Sequence, residues 1–234
     1  MRSVGFLTTR HHPLLPYLLE QVAAAGGIEP VLLLDARDFG ARDSALFEAR
    51  TGGAFAPRVF DPALVVVDVS DHNGAACQRA VRTHELDLLV NAGTPRRIKA
   101  ELLAAPKIGV LNVHPGILPR YRGASCPEWA IYHGDPVGVT AHFMDTGLDS
   151  GPIVATRVLD VPAGMEYQHL RIELYRLQFT FMAQSIRLVL DSGLTPGQLP
   201  PQPDAPVFRP MPEALLDEVK ARLIRREYHP MVAA

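Results

Sequence analysis

Residues 108–116 read IGVLNVHPG, an apolar run that ends abruptly at a proline and a glycine. A continuous apolar run is typical of a strand that is covered on both faces of a parallel sheet. Earlier apolar runs have the same character and alternate with segments of helical periodicity; they are residues 4–8, 30–35, 64–67 and 87–90. This alternation predicts a doubly wound, Rossmann-like α/β core, with a mostly parallel sheet and helices on both faces.

After residue 116 the strict alternation of strands and helices ends. The predicted elements are a short helix at 126–132, strands at 138–143 and 153–161, a long helix at 165–190 and a last amphipathic helix at 213–226. Prolines are frequent between residues 193 and 212. We therefore predict a single α/β domain over residues 1–192, followed over residues 193–234 by a Pro-rich linker and a short C-terminal helix.

Composition narrows the class of partner. The 234 residues carry 23 Lys and Arg against 25 Asp and Glu, a formal net charge of −2. Proteins that bind nucleic acid through phosphates usually have an excess of basic residues, so no nucleic-acid partner is expected.

The two cysteines cannot form a disulfide framework or a four-cysteine zinc site. No apolar stretch reaches membrane length and the N-terminal run is short for a signal peptide, so we expect no membrane partner and a cytoplasmic location.

Asn112 and His114 stand at the carboxyl end of the fifth predicted strand, the edge where open parallel sheets bind ligands. Side chains two apart on a strand point the same way, so an amide and an imidazole face one crevice. An amide N–H can hold an oxyanion, and histidine exchanges protons near neutral pH. Alternatively, the two groups only satisfy loop backbone. The glycine-punctuated loop at 144–152 holds two carboxylates, one of which could orient His114.

Several segments resemble the folate-dependent N-formyltransferases. They are LNVHPGILPRYRG (111–123), WAIYHGD (129–135), GVTAHFM (138–144) and LDSGPI (148–153), and the similarity spans about residues 88–161. The resemblance implies a formyltransferase domain with 10-formyltetrahydrofolate as co-substrate and an amine as acceptor. It places the catalytic residues at Asn112, His114 and Asp149. It further implies direct transfer, in which Asn112 and a protonated His114 stabilise the oxyanion while Asp149 keeps His114 charged.

The resemblance also implies where the folate lies. Its pterin is expected between residues 93–98 and residues 145–149, held largely by backbone groups. The residues assigned to folate binding are Arg96, Arg97, Ile98, Val110, Asp145, Gly147 and Asp149. No metal site is expected, because the adjacent His11 and His12 have no cysteine or carboxylate near them in the sequence.

The acceptor is expected beside the first strand. The family member that acts on glycinamide ribonucleotide has a glycine-rich phosphate loop there, whereas this chain has TTRHHP (8–13). Arg10 and His11 could hold a phosphate or carboxylate of the amine substrate at a helix N-terminus, or could belong to a solvated turn. We also assign Gly116 and Ile117, in the turn after His114, to the acceptor side.

Three functions remain open at this point. The first is N-formylation of a small-molecule amine: a nucleotide-linked amino sugar, an amino acid or a ribonucleotide amine. Methionyl-tRNA is less expected, because that branch adds a sizeable C-terminal domain and only a short tail follows Leu190. The second is 10-formyltetrahydrofolate hydrolysis, although such enzymes carry an N-terminal regulatory domain. The third is a non-catalytic folate-binding module.

Cys126 follows His114 by about a dozen residues and has two interpretations. It could act as a nucleophile beside His114, or it could be a buried packing residue.

Overall fold

The computed structural model describes residues 2–37, 41–55, 64–94 and 96–230. The strands are β1 (Arg2–Thr9), β2 (Ile28–Asp35), β3 (Val65–Val69), β4 (Leu88–Asn91), β5 (Gly109–His114), β6 (Arg122–Gly123), β7 (Gly138–Phe143), β8 (Ile153–Val158) and β9 (Val207–Phe208). The α-helices are α1 (Leu15–Ala25), α2 (Ala41–Thr51), α3 (Ala75–Thr83), α4 (Ala100–Leu103), α5 (Cys126–His133), α6 (Tyr167–Ser192) and α7 (Glu213–Ile224).

The main sheet has seven strands in the order β3-β2-β1-β4-β5-β7-β8. The first five are parallel, and β7 and β8 continue the sheet in antiparallel pairings. This topology confirms the predicted Rossmann-like α/β fold. β5 lies between β4 and β7. Asn112 and His114 therefore stand on an interior strand of the sheet and not on an edge strand.

Alternation along the strands divides the core into two layers. Leu88, Val90, Leu111 and Val113 face the layer that contains α1 and α6. Leu89 and Val110 face the opposite layer, against α3 and α4. Both strands are therefore apolar on both faces until their carboxyl ends, where the second face becomes polar at Asn91 and Asn112. Burial in two layers explains why these strands appear in the sequence as continuous apolar runs.

Two local features differ from the sequence prediction. The polar helix α2 was not predicted; Phe47 anchors it against Tyr175 of α6, with ring centroids 5.4 Å apart. Asn73 was expected to cap α3, but the helix begins at Ala75 without a side-chain cap. The Asn73 amide instead reaches across to the next loop, where it donates to Arg97 O and accepts from Lys99 N. Tertiary contacts override local propensity in both cases.

The segment after α6 returns to the sheet domain. β9 pairs in parallel with β6, and α7 packs on α5. The division of the chain at residue 193 stays a prediction. Across the described ranges, none of the helices combines the length and the apolar character that crossing a membrane requires.

Candidate active site

Three polar side chains form a row across neighbouring strands at the carboxyl end of the parallel sheet. Asn112 lies directly opposite His142 in the β5–β7 pairing, and continuing the β4–β5 register places Asn91 beside Asn112. Asn91 Nδ2 donates to Asn112 Oδ1 at 3.2 Å, and Asn112 Nδ2 lies 3.1 Å from His142 Nε2. Strand order therefore positions the Asn112 amide between two side-chain partners.

His114 and Asp149 meet at the same end of the sheet. The loop after β7 returns toward β5 and holds Asp149 in a left-handed conformation, with φ of 51°. Asp149 Oδ2 accepts from Gly123 N at 2.9 Å and lies 3.4 Å from His114 Nδ1. Its other oxygen is 3.8 Å from His142 Nε2. The carboxylate thus faces two histidines, and the predicted residues Asn112, His114 and Asp149 come together.

The turn after β5 fits closely around His114. His114 Nε2 donates to Tyr121 O at 2.8 Å. A Cβ on Gly116 would lie 2.6 Å from Tyr121 O and 2.7 Å from His114 Nε2, so only glycine leaves room for this ring. Gly116 O accepts from Thr140 Oγ1 at 2.8 Å, and the half-buried Ile117 accepts from Tyr121 N. Gly116 therefore leaves room for the His114 ring and supports it, while acceptor contacts of Gly116 and Ile117 stay predictions.

Burial sets the charge state of both histidines. His114 is 4% exposed and His142 is 1% exposed. Burial lowers the pKa of His114, although Asp149 and the hydrogen bond to Tyr121 O oppose that shift. Burial also lowers the pKa of His142 to about 4, with His114 adding to the shift and Asp149 opposing it. Both shifts favour neutral rings at neutral pH in the protein at rest, whereas the resemblance implied a protonated His114 during transfer.

The two segments predicted to hold folate touch each other. Arg97 Nη2 donates to Thr146 O at 2.5 Å, which links residues 96–98 to residues 145–149. Asp145 Oδ1 accepts from Gly147 N and Ser150 Oγ, and a Cβ on Gly147 would lie 2.0 Å from Ser150 Oγ. Asp145 and Gly147 thus shape a tight exposed loop in which backbone groups can approach a ligand closely.

Ile98 and Val110 lie below this surface. Ile98 is 6% exposed and Val110 is 1% exposed, and both belong to the core layer of α3 and α4. Val110 O accepts from Met144 N at 2.7 Å, so the backbone of β5 holds the start of the 145–149 loop. Their contact with folate stays a prediction, and their packing supports the loops on either side.

Arg96 belongs to a partly buried charge cluster. Its Nη2 lies 2.6 Å from Asp35 Oδ2 and 3.1 Å from Asp71 Oδ1, and His72 Nδ1 is 2.8 Å from Asp35 Oδ2. Burial raises the pKa of Asp35, but hydrogen bonds from Arg37 N, His72 and Arg96 together hold it below its ordinary value. Asp35, Asp71 and His72 have the spacing of metal ligands. The Arg96 guanidinium already supplies the positive charge there, and its contact with folate stays a prediction.

The loop after β1 lies beside the predicted folate segment. His12 packs where a Cβ of Gly93 would be, 2.2 Å from His12 Nε2. Arg10 forms an exposed ion pair with Asp68, and His11 is exposed on the turn. The structure thus places this loop at the carboxyl end of the parallel strands and gives Arg10 a partner within the protein. Anion binding by Arg10 and His11 stays a prediction.

Cys126 packs inside the domain. Its Cβ would be 2.9 Å from a Cβ on Gly116, yet the thiol itself is only 1% exposed. Burial raises the pKa of Cys126 above its ordinary range, and Asp149 and Glu128 add to that effect. A buried thiol that stays protonated is a poor nucleophile, so packing is the better interpretation.

The chain matches a known protein family over much of its length. A family model described as Formyl transferase matches residues 56–182, more than half of the chain. The chain belongs to the formyl transferase family.

Curated relatives in the formyl transferase family match this chain over part of their length. Methionyl-tRNA formyltransferase of Pelobacter propionicus is 32% identical over 130 residues, which cover 55% of this chain and 39% of the relative. The enzyme of the same name from Acetivibrio thermocellus is 30% identical over 154 residues, which cover 65% of this chain and 49% of the relative. The chain therefore spans less than half of each of these relatives.

Solved structures support the fold. Glycinamide ribonucleotide transformylase 1 from Symbiobacterium toebii superposes with a TM-score of 0.60 at 22% identity, covering 82% of this chain and 89% of that one. A sugar N-formyltransferase from Shewanella sp. superposes with a TM-score of 0.59 at 15% identity, covering 94% and 86%. At these identities the similarity establishes architecture alone.

Some residues of this candidate site were not found from the sequence. Asn91 and His142 flank Asn112, and Gln202 donates to Asp149 O and Gly151 O at 3.2 and 2.5 Å. The signal for Asn91 was a polar residue ending an apolar strand, and the signal for His142 was a histidine inside one. Gln202 lies in the Pro-rich segment and has no local signal.

Proposed function

We propose that this protein transfers the formyl group of 10-formyltetrahydrofolate to the amine of a small molecule. The observation that carries the proposal is the convergence of Asn112, His114 and Asp149 at the carboxyl end of β5, in a chain of the formyl transferase family. An amide donor, an imidazole and a carboxylate in one crevice suit acyl transfer through a tetrahedral intermediate.

The reaction needs a place for negative charge. The amine attacks the formyl carbon, and the carbonyl oxygen becomes an oxyanion. Asn112 Nδ2 carries two hydrogens, one of which is directed at His142 Nε2 at 3.1 Å. The second hydrogen is available to the oxyanion. A fixed amide donor of this kind contributes about 2.7–4 kcal/mol of transition-state stabilisation.

The reaction also moves one proton. The attacking nitrogen gains positive charge and must lose a proton, while N10 must gain one as its bond to the formyl carbon breaks. Because burial lowers the pKa of His114 and its Nε2 donates to Tyr121 O, the neutral ring presents an unprotonated Nδ1. We infer that Nδ1 accepts the proton from the amine and that Asp149 Oδ2, 3.4 Å away, stabilises the imidazolium before the proton passes to N10.

We assign the planar pterin ring of the folate to the two predicted segments. Arg97 joins the 96–98 segment to the 145–149 loop, and Gly93 and Gly147 occupy positions where a Cβ would clash. The Cβ positions are taken by His12 Nε2 and Ser150 Oγ, so both residues must be glycine and no side chain of their own screens their backbone N–H and C=O groups from a ligand. Folate contacts are therefore assigned mainly to the backbone of these two segments.

A small acceptor agrees with the charge of the chain. The formal net charge of −2 gives no basic excess for a nucleic-acid acceptor. Glycinamide ribonucleotide and sugar transformylases are among the similar structures, whereas curated relatives include methionyl-tRNA formyltransferases. Methionyl-tRNA is therefore the second candidate acceptor, and it belongs in any test.

The test supplies 10-formyltetrahydrofolate with amino acids, nucleotide-linked amino sugars, glycinamide ribonucleotide or methionyl-tRNA. Tetrahydrofolate release is followed by absorbance and the formylated product by mass spectrometry. We expect one small amine to be formylated and the Asn112→Ala variant to lose about 10²- to 10³-fold in turnover with an unchanged melting temperature. Formate without a formylated amine would indicate hydrolysis, and no tetrahydrofolate release with any acceptor would contradict the proposal.

A further inference from the structure

Asn91 connects the loop after β4 to the catalytic amide. Its Oδ1 accepts from Gly93 N at 3.4 Å and from Thr94 N at 3.1 Å. Backbone N–H groups can only donate, so these two contacts identify the oxygen of the Asn91 amide. The nitrogen of Asn91 must then point the other way, where it meets Asn112 Oδ1 at 3.2 Å.

At the other end of this row of hydrogen bonds, a backbone group also fixes which atom donates. Phe143 O lies 3.0 Å from His142 Nδ1, and a carbonyl can only accept. His142 therefore carries its proton on Nδ1, and its Nε2 accepts from Asn112 Nδ2 at 3.1 Å. Asp149 Oδ1 is 3.8 Å from the same Nε2, too far for a competing hydrogen bond. The donors and acceptors agree from Thr94 N to Phe143 O.

This agreement has a consequence for Asn112. An asparagine amide can rotate by half a turn, which exchanges its donor and acceptor. In the observed orientation a hydrogen of Nδ2 is available to the cleft, whereas the reversed amide would present an oxygen to a developing oxyanion. His142 holds the amide through a single backbone contact, and a change of its tautomer would give up only the hydrogen bond to Phe143 O. Asn91 holds it more firmly, because reversing the Asn91 amide would give up the contacts with both Gly93 N and Thr94 N.

We propose that Asn91 is a positioning residue that fixes the Asn112 amide in the donating orientation and ties that orientation to the loop at residues 93–94. The inference rests on the proposed formyl transfer, in which Asn112 holds the oxyanion. It assigns a mechanistic purpose to a polar side chain that ends an otherwise apolar strand. The same loop belongs to the predicted folate segment, so folate binding and the catalytic donor share one hydrogen-bond network.

The first test uses the protein without substrates. Asn91→Asp keeps an acceptor for Gly93 N and Thr94 N, but its carboxylate at about pH 8 cannot donate. Repulsion of Asn112 Oδ1 should turn the Asn112 amide, and His142 Nε2 must then carry a proton to meet the reversed oxygen. Nitrogen NMR of ¹⁵N-histidine protein is expected to show His142 protonated on Nδ1 in the unaltered protein and on Nε2 in the variant. An unaltered His142 tautomer in a folded variant would overturn the inference.

The second test is a double-mutant cycle on turnover. Asn91→Leu, close in size and unable to hydrogen bond, should lower turnover by about tenfold or more, short of the loss from removing the donor itself. In an Asn112→Ala background the same change should cost nothing further, because Asn91 acts through Asn112. A purely structural residue would cost the same factor in both backgrounds, and that result would refute the positioning role. If the protein transfers no formyl group, the tautomer of His142 still decides the question.

Discussion

At the scale of single residues, the site is defined by how one carboxylate serves two buried histidines. Asp149 stands 3.4 Å from His114 Nδ1 and 3.8 Å from His142 Nε2. Burial lowers the pKa of both rings, and the Asp149 charge raises both. His114 can therefore be neutral at rest and still be stabilised as it takes a proton, which a general base requires.

This balance predicts the pH dependence of turnover. A base must be neutral, so activity should persist as pH falls to 6.5, the ordinary histidine pKa, and be lost only below it. Asp149→Asn removes the charge that raises the pKa of His114, so the acid limb should move to lower pH. Turnover should also fall by about 10²-fold, the low end of a general acid–base contribution. Profiles of kcat against pH check both expectations; an acid limb that moves upward would contradict them.

Arg10 offers a second test at this scale. If Arg10 binds an anionic group of the amine substrate, it must exchange its exposed partner Asp68 for that group. Arg10→Ala should then raise the Michaelis constant for the amine by about tenfold, the low end of what a hydrogen bond to a charged group contributes, and leave that for folate unchanged. Asp68→Asn should lower the amine constant, because it frees the guanidinium. If both variants keep the Michaelis constant for the amine of the unaltered protein, Arg10 belongs to a solvated turn.

At the scale of elements, the segment between α6 and α7 braces the loop that carries Asp149. The buried Arg122 donates to Gln202 Oε1 at 2.9 Å, and Gln202 Nε2 donates to Asp149 O and Gly151 O. A residue far along the chain thus holds the backbone on both sides of Ser150. If Asp149 takes part in transfer, a small displacement of its carboxylate should lower the rate, because transfer depends on near-attack geometry.

Replacing Gln202 should therefore affect catalysis more than folding. We expect Gln202→Leu to reduce turnover by about tenfold, since two hydrogen bonds of about 1 kcal/mol each hold Asp149 in place. Gln198 lies in the same segment, where it pairs with Thr195 away from the loop. Gln198→Leu is the matched control and should leave turnover unchanged. Equal turnover in the two variants would show that the brace has no catalytic effect.

At the scale of the whole molecule, a buried ion pair joins α5 to α6. Glu128 is 1% exposed and lies 3.4 Å from Arg171 Nη1, and Tyr167 donates to the same carboxylate oxygen at 2.6 Å. Burial alone would raise the pKa of Glu128, but Arg171, Arg50 and the hydrogen bond from Tyr167 together hold that pKa below its ordinary value. The two helices are thus joined by charges that neither could bury alone.

Breaking this pair should destabilise the molecule. Arg171→Leu leaves Glu128 buried without its partner and should lower the free energy of unfolding by about 3–5 kcal/mol. Adding Glu128→Leu should recover most of that loss, because no unpaired charge remains. Arg176→Leu is the control on the same helix, since its pair with Glu173 is exposed and worth about 1 kcal/mol or less. Urea unfolding measures the free energy of unfolding of all three variants. If the double variant is as unstable as Arg171→Leu alone, an unpaired buried charge is not the cause of the loss.

The sequence by itself determined the properties that depend on local periodicity. Apolar runs alternating with helical segments predicted the doubly wound sheet, and the two-residue repeat of β5 predicted that Asn112 and His114 share a face. The resemblance then supplied Asp149 and the folate segments. The polar helix α2 escaped prediction because its position depends on packing against α6 and not on a strong apolar stripe of its own.

Only the tertiary structure decided which residues are neighbours across the sheet. Asn91, Asn112 and His142 lie on three strands that the chain visits at distant points, and the order β4-β5-β7 alone brings them into one row. Strand order and burial come from packing the whole chain, so a local pattern carries no record of them. For the same reason the neutral state of His114 and the brace by Gln202 emerge from the fold: both depend on what surrounds a residue in space and not on what precedes it in the chain.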